Sequence, residues 1–174
     1  MTTTTPDLLL DLTTSTATVT VTEPAPEPFD VVYAFTDSTE RPLASWAHLL
    51  TVLAQVGQDR AHGYLFVRER RGPRSAQCIG SACEDRLVVE VRTGGDGYDA
   101  VVRPAETSSP LVTATCAVDS IIRQEGRFTS LRSYVLTAPS TYLLTVLDAA
   151  RAIQYWLERG TAPTGLSITP DTLP

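Results

Sequence analysis

Cysteine and histidine are the residues of this chain best suited to nucleophilic or metal chemistry, and two of the cysteines are close in sequence. Cys78 and Cys83 form a Cys-x4-Cys pair, and the other candidates are Cys116, His48 and His62. Zinc sites favour shorter cysteine pairs backed by a second pair of ligands, which this spacing does not supply. A catalytic thiol also needs a base and an orienting group beside it, and no known thiol-enzyme pattern surrounds either cysteine. We therefore expect no metal and no cofactor, and thiols kept reduced in the cytosol. The alternatives are a disulfide between Cys78 and Cys83, if the protein is exported, and a thiol-dependent enzyme.

The glycine-rich segment Gly94–Gly97 invites comparison with a phosphate-binding loop. Phosphate loops lead into the N-terminus of a helix and often carry a lysine. This segment instead precedes the strand-like run Tyr98–Arg103, and all fourteen basic residues of the chain are arginine. We interpret the glycines as the turn of a β-hairpin, where they supply positive φ angles.

One basic cluster occurs in the sequence, formed by Arg68, Arg70, Arg71 and Arg74. It lacks the interleaved aromatic residues that stack on nucleic-acid bases, so we interpret it as a solvated strand end and loop, with anion binding as the alternative. No paired carboxylates stand in a setting that would raise the pKa of one of them for acid–base catalysis. The sequence therefore predicts no catalytic residues and no enzyme activity.

Acidic residues are concentrated in the first third of the chain. The formal net charge is −6, and residues 1–59 hold eight carboxylates against Arg41 alone, a balance of −7. An acidic surface repels nucleic-acid phosphate and anionic membranes, whereas it attracts a basic protein. Ordinary solubility is the other interpretation of this charge. If the charge is functional, the expected partner-binding residues are Asp30, Asp37, Glu40 and Asp59.

Length and composition predict one folded domain behind an extended leader. A chain of 174 residues with 43% hydrophobic content can bury its own core. Residues 1–28 are rich in threonine and proline, and the run 17–22 is either an edge strand or part of a disordered tail. Residues 29–174 are predicted to form a single domain. The N-terminal stretch lacks the positive residues of a secretory signal, and no apolar run approaches about 20 residues, so we expect a cytoplasmic protein.

Hydrophobic periodicity predicts an α+β fold. Helices are expected over 43–56, opened by Pro42, and over 140–159, with a polar loop over 68–84. Strands are expected over 30–35, 64–68, 86–92, 98–103, 111–116 and 131–136. The order predicts an antiparallel β-sheet meander with two main helices packed on one face. The side chains expected to be buried are Trp46, Leu50, Leu147, Ile153 and Leu157.

The end of the chain resembles the end of certain bacterial immunity proteins. The segment Asp148-Ala-Ala-Arg-Ala-Ile-Gln-Tyr-Trp-Leu-Glu-Arg-Gly160-Thr-Ala-Pro163, followed by Gly165-Leu-Ser-Ile168, is similar to that of the first family in the Imm series, found beside polymorphic toxins. Members share a late helix closing with Gly-x-x-Pro and a short apolar strand. Many of them carry a tryptophan on that strand, where this chain has Ile168 and Thr169.

The resemblance implies a protein that binds and neutralises a cognate toxin, often a deaminase or another enzyme that attacks nucleic acid. It implies no catalysis. A toxin with a basic surface would suit the acidic first third of the chain, because opposite charges speed association. The alternative is a non-catalytic accessory or regulatory domain of a phage or actinobacterial operon.

Overall fold

The computed structural model describes residues 29–94, 97–104, 109–116, 120–124, 127–131 and 134–170. The predicted leader over 1–28, with its candidate strand over 17–22, lies outside the described residues. Within them the chain forms two α-helices, α1 (Trp46–Leu53) and α2 (Val146–Arg159), and eleven strands. The strands are β1 (Val31–Ala34), β2 (Arg41–Pro42), β3 (Tyr64–Glu69), β4 (Ser75–Ser81), β5 (Arg86–Gly94), β6 (Gly97–Val102), β7 (Leu111–Cys116), β8 (Ser120–Gln124), β9 (Arg127–Leu131), β10 (Tyr134–Pro139) and β11 (Ser167–Pro170).

Seven strands form one antiparallel sheet in the order β11-β6-β5-β4-β3-β1-β2. Its centre, β3 to β6, is a meander in which strands adjacent in sequence are also adjacent in space. Glycines 94 and 97 pair across the β5–β6 connection, which confirms the predicted hairpin. The edges come from distant parts of the chain, β1 and β2 on one side and β11 on the other. The predicted α+β class with an antiparallel sheet is therefore confirmed.

Both helices pack on the same face of this sheet and enclose the main core. Alternate residues of β3, β4 and β5 point toward the helices and are fully buried, as are the inner faces of α1 and α2. Burial of such side chains removes about 25 cal/mol of unfavourable hydration free energy per Å² of apolar surface. The residues that meet in this layer include Leu49, Leu53, Leu65, Val67, Ala76, Cys78, Leu87, Val89, Ala149, Ile153 and Leu157.

A two-stranded ribbon, β7 with β10, lies on the other face of the sheet. Val88 of β5 packs there with Ala138 and Leu143, and all three side chains are buried. The strands β8 and β9 pair only with each other in the described part of the chain. Neither α-helix in that part is long and apolar enough to cross a membrane.

Two predicted core residues are instead on the surface. Leu147 is 60% exposed and Leu50 is 37% exposed, whereas Ile153 and Leu157 are buried as predicted and Trp46 is half-buried. The sequence predicts that the second helix starts at residue 140. The helix in fact starts after Thr145, whose hydroxyl accepts a hydrogen bond from the backbone N–H of residue 148 at 3.1 Å. The apolar residues just before the helix have an extended backbone. They therefore do not belong to the apolar stripe that decides which face of the helix is buried.

The predicted polar loop over 68–84 was also wrong, because it contains the central strand β4. Its inward-facing residues are small, namely Ala76, Cys78 and Gly80. Small residues weaken the sequence signal for a strand, but here they let the helix layer approach the sheet closely. Gly57 shows how close the approach is, since a Cβ atom there would lie 2.1 Å from the carbonyl oxygen of Gly80.

Three boundaries also differ from the prediction. Pro42 belongs to the edge strand β2 rather than to a helix. Ser45 is the residue that caps α1, and its hydroxyl accepts the N–H of His48 at 3.1 Å. The strand predicted over 131–136 is divided, because Leu131 ends β9 and Tyr134 begins β10.

Candidate functional site

A cleft of about 340 Å³ opens where α2 ends and α1 begins. The turn between β3 and β4 forms its third side. Its volume lies at the lower end of the range of about 300–1,000 Å³ that accommodates small ligands. Eight residues line it: Phe29, Asp30, Val31, Trp46, Glu69, Gly72, Leu157 and Glu158.

Two aromatic rings form the apolar wall of this cleft. The rings of Phe29 and Trp46 meet edge to face, with centroids 4.8 Å apart and planes at 85°. Trp46 is the first residue of α1, so the Ser45 cap that starts the helix also fixes the position of the indole. In an edge-to-face pair, the edge of one ring covers one face of the other ring. The other three of the four ring faces are not covered by the pair itself, which leaves aromatic surface for a ligand.

Three carboxylates lie around the apolar wall, on three separate segments of the chain. Asp30 precedes β1 and is exposed, and Glu158 lies in the last turn of α2, where it accepts a hydrogen bond from Gln154 Nε2 at 3.1 Å. Glu69 is more constrained. Its Oε2 accepts the backbone N–H of Arg74 at 3.2 Å, and a Cβ atom on Gly72 would lie only 1.8 Å from that oxygen. Because glycine has no Cβ atom, residue 72 leaves room for the Glu69 carboxylate.

The floor of the cleft is fixed by contacts between α2 and the β3–β4 hairpin. The indole N–H of Trp156 donates to the carbonyl oxygen of Ser75 at 2.9 Å in the buried interior. Arg74 Nη1 donates to the carbonyl oxygen of Leu157 at 2.6 Å, which satisfies an end group of the helix. Gly160 then ends α2 in a left-handed conformation with φ of 70°. These contacts hold two sides of the cleft in one relative position.

The carboxylates set the sign of the charge in the cleft. The helix dipoles oppose each other there, because the negative end of α2 meets the positive end of α1. Arg74 lies 3.6 Å from Glu69 and offsets that charge. Arg70 and Arg71 are exposed on the adjacent β3–β4 turn and do not line the cleft. Asp30 and Glu158 thus remain as the carboxylates of the lining that face solvent.

Among the four acids predicted to bind a partner, Asp37 and Glu40 lie near β2 and form ion pairs within the molecule. Asp37 Oδ2 is 2.6 Å from Nη2 of Arg41, and the hydrogen bonds from this guanidinium lower the pKa of Asp37 to about 2. Glu40 Oε1 is 2.7 Å from Nη2 of Arg68, which reaches it from β3 across β1. The Asp37–Arg41 pair lies within the β1–β2 hairpin, and the Glu40–Arg68 pair joins that hairpin to β3.

Asp59, the next of the predicted acids, also has an internal role. It caps a 3-10 helix (Arg60–His62) by accepting the backbone N–H of Ala61 at 2.8 Å, and its Oδ1 lies 2.8 Å from Nδ1 of His62. The hydrogen bond to His62 is the main cause of a lowered pKa of Asp59. The structure therefore does not bring the four acids together, and Asp30 is the member of the set that lines the cleft.

The other sequence candidates contribute to the fold. Cys78 is buried in β4 and Cys83 is exposed on a 3-10 helix (Ala82–Glu84), so the pair is divided between core and surface. No group of three His, Cys, Asp or Glu side chains within the described ranges is placed to hold a metal ion. The arginine cluster is divided as well, since Arg68 pairs with Glu40 and Arg74 binds the end of α2.

A second cleft, of about 350 Å³, lies near the start of α2. Its charged groups are Arg103, Asp148 and Arg151. The carboxylate of Asp148 is 2.8 Å from the Arg103 guanidinium and 3.5 Å from that of Arg151. The two guanidinium groups and one carboxylate leave this cleft with a net charge of +1, so it does not attract a basic ligand as the first cleft does.

Sequence reasoning missed most of the residues of the first cleft. Phe29, Trp46, Glu69 and Glu158 come from four separate segments, and no spacing in the chain relates them. The one local signal is Gly72, which with the following proline marks a tight turn. Only the sheet order, which places β1 beside β3, brings the segments together.

Comparison with protein-family models, with curated proteins and with solved structures finds no match in any of the three. The similarity of residues 148–168 to immunity proteins is therefore a prediction that these comparisons do not test. The predicted late helix, its glycine end at Gly160 and the short strand β11 are all present. These features describe the fold of the segment and do not by themselves assign a family.

Proposed function

We propose that this protein is a non-catalytic immunity protein that binds and neutralises a cognate bacterial toxin enzyme in the cytoplasm. The observation that carries the proposal is the cleft at the end of α2, where Asp30 and Glu158 border the aromatic pair of Phe29 and Trp46. Aromatic residues supply large contact areas at protein interfaces, and surrounding carboxylates select a basic partner. A deaminase or nuclease toxin, which must bind nucleic acid, presents such a basic surface.

The acids outside the cleft contribute to this function at longer range. Asp37 and Glu40 have internal partners, so we assign them to the steering of a basic toxin rather than to direct contact. Steering acts over the Debye length, about 8–10 Å at physiological salt, and mainly raises the association rate. Association with the toxin is therefore expected to slow as salt rises, while dissociation changes little.

Co-expression with the product of the adjacent upstream gene tests the proposal. The wild-type protein is expected to restore growth in the presence of that toxin. The double variant Asp30→Lys/Glu158→Lys is expected to bind the toxin more weakly and to protect less. Both residues are exposed, so the double variant is expected to fold normally.

Glu84→Lys is the control for a charge change away from the cleft, and its change of +2 is matched by each single variant, Asp30→Lys or Glu158→Lys. Glu84 is exposed and lies next to Asp85, whose carboxylate accepts the N–H of Val146 at the start of α2. It is therefore at the opposite end of that helix from the cleft. Wild-type protection by this control, with loss in the cleft variant, supports the proposal. Failure of the wild-type protein to bind the toxin or to protect against it would leave the accessory-domain alternative.

A further inference from the structure

The geometry points to one arginine side chain of the partner protein as the group that occupies the cleft. This inference names the ligand of the same site and rests on the proposed function for the identity of the partner. It draws on three properties of the cleft, namely its aromatic surface, its carboxylates and its size.

The aromatic surface favours a planar cation. A guanidinium stacks on an aromatic face, and tryptophan is the strongest of the aromatic residues in this interaction. Trp46 is half-buried at the cleft and meets Phe29 edge to face, so ring surface remains for such a group. The same end of α2 already contains one example, because the Arg159 guanidinium carbon lies 4.5 Å from the centre of the Tyr155 ring.

The carboxylates favour the same ligand. Asp30 and Glu158 line the cleft from two different segments, the start of β1 and the end of α2, so a cation in the cleft is attracted to both. Glu69 is already held by Arg74 and keeps the hairpin in place. Arginine presents five N–H donors in a fixed plane, and it can therefore contact a carboxylate while its face lies on a ring. A lysine ammonium lacks that planar face.

The size of the cleft and the local sequence limit the possible occupants. A volume of about 340 Å³ suits one long side chain better than a large cofactor. Residues 1–28 contain no Arg, Lys or His, so no side chain among them is an arginine that could occupy the cleft. Arg70 and Arg71 of the adjacent turn, or an arginine of a second copy, are the rival occupants to be tested.

Titration of the full chain with N-acetyl-arginine methylamide tests the inference without any toxin. The citrulline and lysine analogues serve as neutral and non-planar controls. The readout is the indole ¹H–¹⁵N signal of Trp46, with that of Trp156 as reference, because the Trp156 N–H is buried and bonded to Ser75. We expect a dissociation constant on the order of 1–10 mM for the arginine probe. The lysine probe should bind about 3-fold more weakly, and the citrulline probe should leave the Trp46 signal unmoved.

Substitutions locate the bound group. Asp30→Asn is expected to weaken binding of the arginine probe about 2- to 5-fold, as for other exposed ion pairs. Glu84→Gln, which removes one charge at the other end of the helix layer, is expected to leave the dissociation constant unchanged. Equal shifts with the citrulline probe, or equal binding by Asp30→Asn and wild type, would overturn the inference.

Two further measurements exclude the rival occupants. If the double variant Arg70→Gln/Arg71→Gln both binds the probe more tightly and shifts the Trp46 indole signal in the absence of probe, the adjacent turn fills the cleft, which contradicts a partner's arginine. A dimer in sedimentation analysis that dissociates on Asp30→Asn would assign the cleft to a second copy. Because no toxin is present, failure of probe binding rejects the arginine ligand and leaves toxin inhibition to the co-expression test.

Discussion

Replacing Ile153 by alanine tests the helix packing, with Leu147→Ala as the matched control on the same helix. Ile153 is 0% exposed between α2 and the sheet, whereas Leu147 is 60% exposed. The Ile153 substitution deletes three buried carbon atoms at about 0.8 kcal/mol each. The cavity left behind adds to this, for a total loss of about 3–4 kcal/mol in the free energy of unfolding. Leu147→Ala is expected to change it by less than about 0.5 kcal/mol.

Urea unfolding followed by far-ultraviolet circular dichroism measures both values. With a slope of about 2 kcal/mol per M, the Ile153 variant should unfold at a urea concentration lower by about 1.5–2 M. The Leu147 variant should unfold within about 0.3 M of the wild type. Equal losses in the two variants, or a loss below about 1 kcal/mol for Ile153→Ala, would contradict the assigned helix face.

Three further predictions concern charge, backbone and thiols. Because Arg41 lowers the pKa of Asp37 to about 2 from about 3.9 in the unfolded chain, the ion pair stabilises the fold above about pH 4 and loses its effect as pH falls toward 2. The wild type should therefore be more stable than Asp37→Asn at pH 7, with the difference vanishing near pH 2 in thermal unfolding. Gly57→Ala, which brings a Cβ to 2.1 Å from a backbone carbonyl, should cost more in denaturant unfolding than Gly165→Ala, where φ is also positive but no atom lies within 4 Å. Iodoacetamide should modify exposed Cys83 far faster than buried Cys78 in the native protein, as mapped by mass spectrometry, and equal rates would contradict their assigned burial.

The parts of the fold that the sequence predicts are those with strong local patterns. The alternating apolar runs over 64–68 and 86–92 correspond to β3 and β5, and the glycine pair between β5 and β6 marks a real hairpin. The last helix and its glycine end were found for the same reason. In each case a single segment contains both the hydrophobic periodicity and the residue that ends the element.

The parts that could not be predicted depend on contacts between distant segments. The strand β4 has little intrinsic strand preference, and the burial of Ala76 and Cys78 beneath the helices is what places it in the sheet. The predicted buried face of α2 depended on where the helix begins; the helix begins at Val146 instead of residue 140, and Leu147 lies on the surface instead of in the predicted core. No local sequence pattern predicts the cleft, because its residues come together only through the order of the strands in the sheet.

The order of the strands also has a consequence for how the chain assembles. The hairpins from β3 to β6 close short connections, whereas β11 must find β6 across more than sixty residues, from Val102 to Ser167. Loop closure costs more entropy as the loop lengthens, so we expect the central meander to form first and β11 to add last. Until then the outer edge of β6 is an unpaired strand edge, the kind of surface that recruits other chains into aggregates. Pulse-labelled hydrogen exchange should accordingly protect the amides shared by β4 and β5 before those that β6 shares with β11.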